Sequence, residues 1–160
     1  MTATIIIYDY DNIPFLKGCM RQVLKYQHPD IKTRILISEQ GSADTATAAR
    51  LMFPEAEVFH LPPLGSGYAV DYLVRHANID TEYICTLDVD AYPIHPQWLY
   101  IPIKLLEDYK FSFVGVHADM SEAYGGGFFI MCQYFRVGRT IALMKLSPGG
   151  GFTKWNSRKA

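Results

Sequence analysis

No stretch of this chain is apolar for long enough to suggest a membrane helix. The longest run, Phe128 to Cys132 with its flanks, falls far short of the ~20 residues a span needs. Ile5-Ile6-Ile7 is too short for the core of a secretory leader, and no basic segment precedes it. Charge is scarce as well. Lys and Arg total 15 against 16 Asp and Glu, and no basic stripe forms, since Lys145, Lys154, Arg158 and Lys159 are scattered. A nucleic-acid partner is therefore not expected. Cysteine is limited to Cys19, Cys85 and Cys132, odd in number and far apart, which speaks against a disulfide framework or a zinc site. Free buried thiols in the cytoplasm, or at the cytoplasmic side of a membrane, are the expectation. There is no internal repeat, linker or low-complexity segment.

What is present is ordinary globular material: 49% apolar and 19% charged residues, in a length of 160 that suits one domain. β-branched runs alternate with helical patterns. Residues 3–8 read as a buried strand, and Pro14 opens a helix with apolar pairs at Phe15/Leu16, Cys19/Met20 and Val23/Leu24. Arg34 to Ser38 is a second strand, followed by an Ala-rich helix ending near Phe53-Pro54. Glu57 to Leu61 is a third strand, and Val70, Leu73, Val74 and Ala77 mark one face of the next helix. Tyr83 onward is a fourth strand. Pro96 starts a helix through Leu99, Ile103 and Leu106, Phe111 to Val116 is a strand, and a helical pattern covers roughly 137–146. This alternation implies a three-layer α/β/α fold with a mostly parallel sheet, whose ligands bind at the C-terminal strand ends.

At that edge the chain places its most pointed feature, Leu87-Asp88-Val89-Asp90. Strand alternation would put Asp88 and Asp90 on one face with Val89 turned inward. Two hard oxygen donors suit a divalent cation that keeps waters and phosphate oxygens as its other ligands. Two solvated acids at a strand end would look the same in sequence. Gly65 and Gly67 fit a loop facing a diphosphate, or an ordinary turn after Pro62-Pro63. Asp71 and Arg75, at i and i+4, fit a surface ion pair or a sugar contact. His28, His60 and His76 show no mutual ligand spacing.

These segments, taken in order, resemble family-2 glycosyltransferases with the GT-A fold. Ile35 to Asp44 is similar to their strand followed by D-D-G-S-x-D. Leu64-Gly65-Ser66-Gly67 through Asp71 is similar to their glycine loop, and Leu87 to Asp90 followed by Pro96-Gln97-Trp98-Leu99 to their D-x-D motif and next helix. Gly126-Gly127-Phe128 through Gly150-Gly151-Phe152 resembles the acceptor-site frame. The resemblance implies one Rossmann-like domain over 1–160, with a nucleotide-binding half at 1–90 and a partial acceptor half at 91–160. It implies that Tyr10, Asn12, Glu39, Gly65, Gly67, Asp71 and Asp88 contact a nucleotide-diphosphate sugar, a UDP-sugar being the first expectation. Glu39 would take the base in place of the usual Asp, and Gln40 stands where a second Asp is usual. Asp88 and Asp90 would hold Mn²⁺ or Mg²⁺. The reaction would be inverting sugar transfer to a hydroxyl of a carbohydrate or lipid-linked acceptor.

Inversion needs a carboxylate base. No acid follows Phe152, so the expectation is that the base lies beyond Ala160 in a longer protein, or that Asp119 or Glu122 substitutes. Two rival readings follow. One is a nucleotide-sugar-binding domain without catalysis. The other is a haloacid-dehalogenase-like phosphatase using Asp9 and Asp11, which Ile13 (in place of a Thr) and the lack of Lys between Ser38 and Asp88 oppose. A nucleotidyltransferase is opposed by the acidic Asp9-Tyr10-Asp11-Asn12.

Overall fold

The computed structural model of the chain describes residues 1–110, 113–119 and 129–139. In chain order these form β1 (Thr2–Asp9), α1 (Ile13–Lys25), β2 (Lys32–Glu39), α2 (Ala43–Met52), β3 (Ala56–His60), α3 (Ser66–His76), β4 (Tyr83–Asp88), α4 (Tyr100–Asp108), β5 (Phe113–Asp119) and β6 (Phe129–Arg139). The strands make a six-stranded sheet in the order β3-β2-β1-β4-β6-β5. β1 to β4 run parallel, while β6 lies antiparallel to both β4 and β5. The mostly parallel α/β reading therefore holds.

Burial divides the sheet cleanly. On β1, Ile5 and Ile7 pack with Leu16, Cys19 and Met20 of α1 and with Ile103 and Leu106 of α4. Ile6 and Tyr8 point the other way, onto Ala69, Val70, Leu73 and Val74 of α3. The period of two along the strand thus feeds two cores, and both sheet faces are covered.

Helix starts follow local chemistry. Asn12 accepts from the Phe15 N–H at 3.4 Å to cap α1, with Pro14 in its first turn. Ser42 caps α2 through the Thr45 N–H at 3.2 Å. α3 has no side-chain cap; Gly65 precedes it at φ +88°, a left-handed conformation that favours glycine.

Two elements depart from the sequence pattern. The helix expected from Pro96 begins only at Tyr100. Before it, Trp98 closes a turn onto the His95 carbonyl (3.1 Å) and its Nε1 donates to the Tyr26 carbonyl at 3.0 Å, which ties this segment to the end of α1. The helical pattern at 137–146 is the larger correction. Val137 to Arg139 end β6, with Val137 opposite Cys85 on one side and Val114 on the other. Val137 is fully buried there, so pairing and burial outweigh a local helical pattern. Residues 140–146 lie outside the described residues. No helix among the described residues is long and apolar enough to cross a membrane.

Replacing Val137 by Thr keeps the shape but puts a hydroxyl between β4 and β5. Denaturant unfolding should show a loss of about 1–3 kcal/mol, the usual cost of burying such a group. An unchanged midpoint would contradict the placement of this residue in the sheet core.

Candidate active site

The register of the parallel strands assembles the site. Asp9 lies opposite Glu39, and Tyr8 opposite Asp88, so strand ends rich in carboxyls stop at one edge. Backbone bonds then link the exits. The Gln40 N–H donates to the Asp9 carbonyl (2.9 Å), Leu61 N–H to the Glu39 carbonyl (2.8 Å) and Val89 N–H to the Tyr8 carbonyl (3.1 Å). Above this edge opens a cleft of about 430 Å³, lined by Tyr8 to Tyr10, Gln40, Pro63, Gly65, Ser66 and Asp88 to Asp90. The loops after β1, β2, β3 and β4 all contribute to it.

Of the residues singled out in the sequence, Asp9, Tyr10, Gln40, Gly65, Asp88 and Asp90 line this cleft. Asp88 is the last residue of β4, whereas Asp90 lies past its end. An Ala91 N–H to Asp88 carbonyl bond of 3.0 Å closes a turn there. The two acids are therefore brought to one cleft by a turn, and strand alternation is not what pairs them. Tyr10 is 64% exposed, an aromatic ring standing at the cleft.

The other candidates sit elsewhere. Glu39 is fully buried below the cleft, where its Oε1 accepts the N–H groups of Asp11 (3.1 Å) and Gly41 (2.5 Å). Asn12 caps α1, and Gly67 lies in the first turn of α3. Asp71 pairs with Arg75 at 3.0 Å, a partly exposed i,i+4 ion pair worth under ~1 kcal/mol. Asp119 ends β5; since β4 and β5 are each antiparallel to β6, Asp119 lies at the same sheet edge as Asp88. Glu122 lies outside the described residues, as do the Gly126–Gly127 and 150–152 segments.

Asp9 is the residue whose importance the motif reading missed. It is 2% exposed, and among the described residues neither of its oxygens has a hydrogen-bond partner of good geometry, nor does Glu39 Oε2. Burial, and after it the neighbouring Glu39 carboxyl, push the Asp9 pKa up to about 7. Its signal in the sequence was an acid ending a strand beside a second acid-ended strand. Asp11 behaves oppositely. At φ 50°, its Oδ1 accepts from the Ser42 N–H (2.7 Å) and the Thr45 hydroxyl (2.7 Å), and these bonds hold its pKa below the usual carboxylate range. A Cβ on Gly41 would collide with this carboxylate. With Asp9 sealed and Asp11 committed to the start of α2, the phosphatase reading has no free nucleophile.

Cys19 and Cys85 are buried and free, and burial raises both thiols, Cys19 to about 12 with added push from Asp9 and Asp90. Cys19 is thus an inert core residue near the acids.

No Lys or Arg is among the described residues lining the cleft. A diphosphate placed there would meet acids and α3's N-terminus. Asp88 and Asp90 offer the hard oxygen pair that Mn²⁺ or Mg²⁺ takes, and no third His, Cys, Asp or Glu among the described residues completes a protein-only cage. Such a donor set fits a cation that shares its coordination with substrate oxygens and water.

The family model for glycosyl transferase family 2 matches residues 4–145. No curated protein matches the chain. Among solved structures, the chain is similar to the mannosyltransferase PcManGT from Pyrobaculum calidifontis in complex with GDP-Man and Mn²⁺, at 17% identity and a TM-score of 0.70. That likeness covers 92% of this chain and 46% of the other. It is similar to S. aureus TarS 1-349 in complex with UDP-GlcNAc, at 12% identity and a TM-score of 0.63, over 91% of this chain and 47% of that one. A CMP:2-keto-3-deoxy-manno-octonic acid synthetase complexed with CTP matches at 12% identity and a TM-score of 0.65, over 99% of this chain and 83% of that one. At such identities the likeness concerns the fold. The chain spans about half the length of the first two.

The buried acid has a measurable consequence. Its folded pKa lies above the ordinary 3.8, so the folded state holds a proton the unfolded chain has released. Stability should be greatest below about pH 4 as far as this group is concerned, and fall as pH rises to about 7. Asp9→Asn removes the titration. Urea unfolding from pH 4 to 8 should show the variant gaining on the wild type up to about pH 7 and holding that gain above it. Parallel profiles would show that Asp9 is not a buried proton holder.

Proposed function

The chain belongs to glycosyl transferase family 2, and from that premise we propose that it transfers a sugar from a nucleoside-diphosphate donor to an acceptor hydroxyl, with inversion at the sugar carbon. The observation that carries the reading is the cleft at the C-terminal strand edge, where Asp88 and Asp90 meet the Gly65–Ser66 start of α3. The likeness to a fold seen with GDP-Man and Mn²⁺, and with UDP-GlcNAc, supports it.

In this reading Asp88 and Asp90 hold Mn²⁺ or Mg²⁺ at the diphosphate. The cation supplies charge neutralisation as the diphosphate departs, which matters more in the transition state than before it. The uncapped α3 N-terminus, with its backbone N–H groups and positive dipole end, receives phosphate oxygens. Gly65 allows the close approach that a side chain would obstruct. Tyr10 offers its exposed ring to the base. Glu39 serves the base site from below, holding the Asp11 and Gly41 amides in place. Asn12 and Asp71 contribute by fixing the first turn of α1 and the outer face of α3. A uridine donor remains the first choice, and the acceptor is a carbohydrate or lipid-linked hydroxyl. A cytoplasmic setting, including the cytoplasmic face of a membrane, goes with this reading.

The acceptor proton needs a base. Asp119, at the same sheet edge as Asp88, is proposed for it, with Glu122 as the second choice.

Two measurements bear on this. Melting should be followed with UDP-, GDP- and CDP-sugars, each with and without Mn²⁺. A donor at a hundredfold excess over Kd stabilises by about 2.7 kcal/mol, and this shift should require the metal and vanish in Asp90→Asn. If every nucleotide leaves the melting point unmoved with Mn²⁺ present, donor binding is wrong. For the base, Asp119→Asn should lose at least ~100-fold in turnover while donor binding persists. Full activity in both Asp119→Asn and Glu122→Gln would remove these residues from the chemistry. Metal-dependent binding without any transfer would favour the non-catalytic reading.

A further inference from the structure

Gln40 is only 6% exposed, yet it belongs to the lining of the cleft. Its backbone is fixed at the exit of β2 by donation to the Asp9 carbonyl at 2.9 Å. Its side chain reaches across to a different loop, where Oε1 accepts the Gly65 N–H at 3.0 Å. That bond also settles which way the amide faces. Gly65 presents a donor, so the oxygen must meet it, and the Nε2 end is left for something else. No protein partner for Nε2 occurs among the described residues, and Nε2 is not among the sealed unpartnered atoms.

Gly65 is a conformationally permissive residue. It stands at φ +88° with open space where a Cβ would go, and it precedes a helix that lacks a side-chain cap. The Gln40 carboxamide bonds this loop to the sheet edge that carries Asp88 and Asp90. A neutral group suits the task. Asp9, Glu39, Asp88 and Asp90 already crowd this edge, and a further carboxylate would repel a diphosphate.

Building on the donor-binding reading above, we propose that Gln40 is a positioning residue. Its amide sets Gly65 and the first turn of α3 at the height at which their N–H groups meet a metal-bound diphosphate, while Nε2 adds a neutral donor to the cleft.

Two variants separate the hold from the charge. Gln40→Met is close in shape and loses the bond. Gln40→Glu still accepts the Gly65 N–H but adds a negative charge. Amide hydrogen exchange at Gly65 and Ser66 should quicken in Gln40→Met and return to the wild-type rate in Gln40→Glu. Affinity for inorganic pyrophosphate with Mn²⁺ should fall about tenfold in Gln40→Met, the worth of one or two hydrogen bonds, and this loss should not change with salt. In Gln40→Glu any loss should shrink as ionic strength rises. Uridine, which has no phosphate, should bind both variants as it binds the wild type. Wild-type exchange and pyrophosphate affinity in Gln40→Met would overturn the proposal. So would rapid Gly65 exchange in Gln40→Glu, a result that needs only the second variant to fold. Failure of the wild-type protein itself to bind pyrophosphate or UDP with Mn²⁺ would overturn the donor-binding reading beneath it.

Discussion

The concentration of acids along one sheet edge is the constraint to which the rest of the site answers. Register brings Asp9 beside Glu39 and Tyr8 beside Asp88, so carboxyls accumulate where the strands stop. Like charges about 4 Å apart cost ~4 kcal/mol even at an effective dielectric near 20. The chain relieves this in three ways. Asp9 keeps its proton to about pH 7, because ionising it means charging a buried group beside another carboxyl. Glu39 turns one oxygen onto two backbone N–H groups, and so fastens the β1 and β2 exits together. Asp88 and Asp90 stay at the cleft, where water or a cation can meet them.

That division separates groups that shape the site from groups that face the open cleft. Asp11 belongs with the first set. Its left-handed backbone and its bonds to Ser42 and Thr45 knit the β1 loop to the start of α2, and a glycine is needed at 41 to leave it room. Beneath the cleft, the floor is therefore a lattice of short acid-to-amide bonds. On the α3 side, Gln40 reaches across to Gly65.

Much of this was legible in the sequence. β-branched runs and 3.6-residue spacing located β1 to β4 and their helices, because those segments bury long continuous faces. The placing of Asp88 and Asp90 at the sheet edge was legible too, although their geometry comes from a turn that residue alternation does not describe. What escaped was set by distant partners. Val137 reads as part of a helix until Cys85 and Val114 are placed on either side of it. The bonds from Glu39 to the Asp11 and Gly41 amides depend on how two loops fold over the strand end. The role of Asp9 depends on which strand lies next to β1, and a single chain read in order does not display that neighbour.

The fold by itself does not choose among reactions. It is similar both to a mannosyltransferase seen with GDP-Man and Mn²⁺ and to a synthetase complexed with CTP. Discrimination must come from the chemistry of the edge. A site that attacks the α-phosphate of a nucleoside triphosphate has to hold three phosphates, and a basic Gly-rich loop after the first strand is the economical way to do so. Here that loop is Asp9-Tyr10-Asp11-Asn12, and no Lys or Arg among the described residues lines the cleft. Negative charge can settle on this edge only beside a cation, and the Asp88 and Asp90 carboxylates at the cleft would suit one ion held jointly with a diphosphate. That electrostatic demand, together with the family match over residues 4–145, favours a nucleoside-diphosphate donor over a triphosphate.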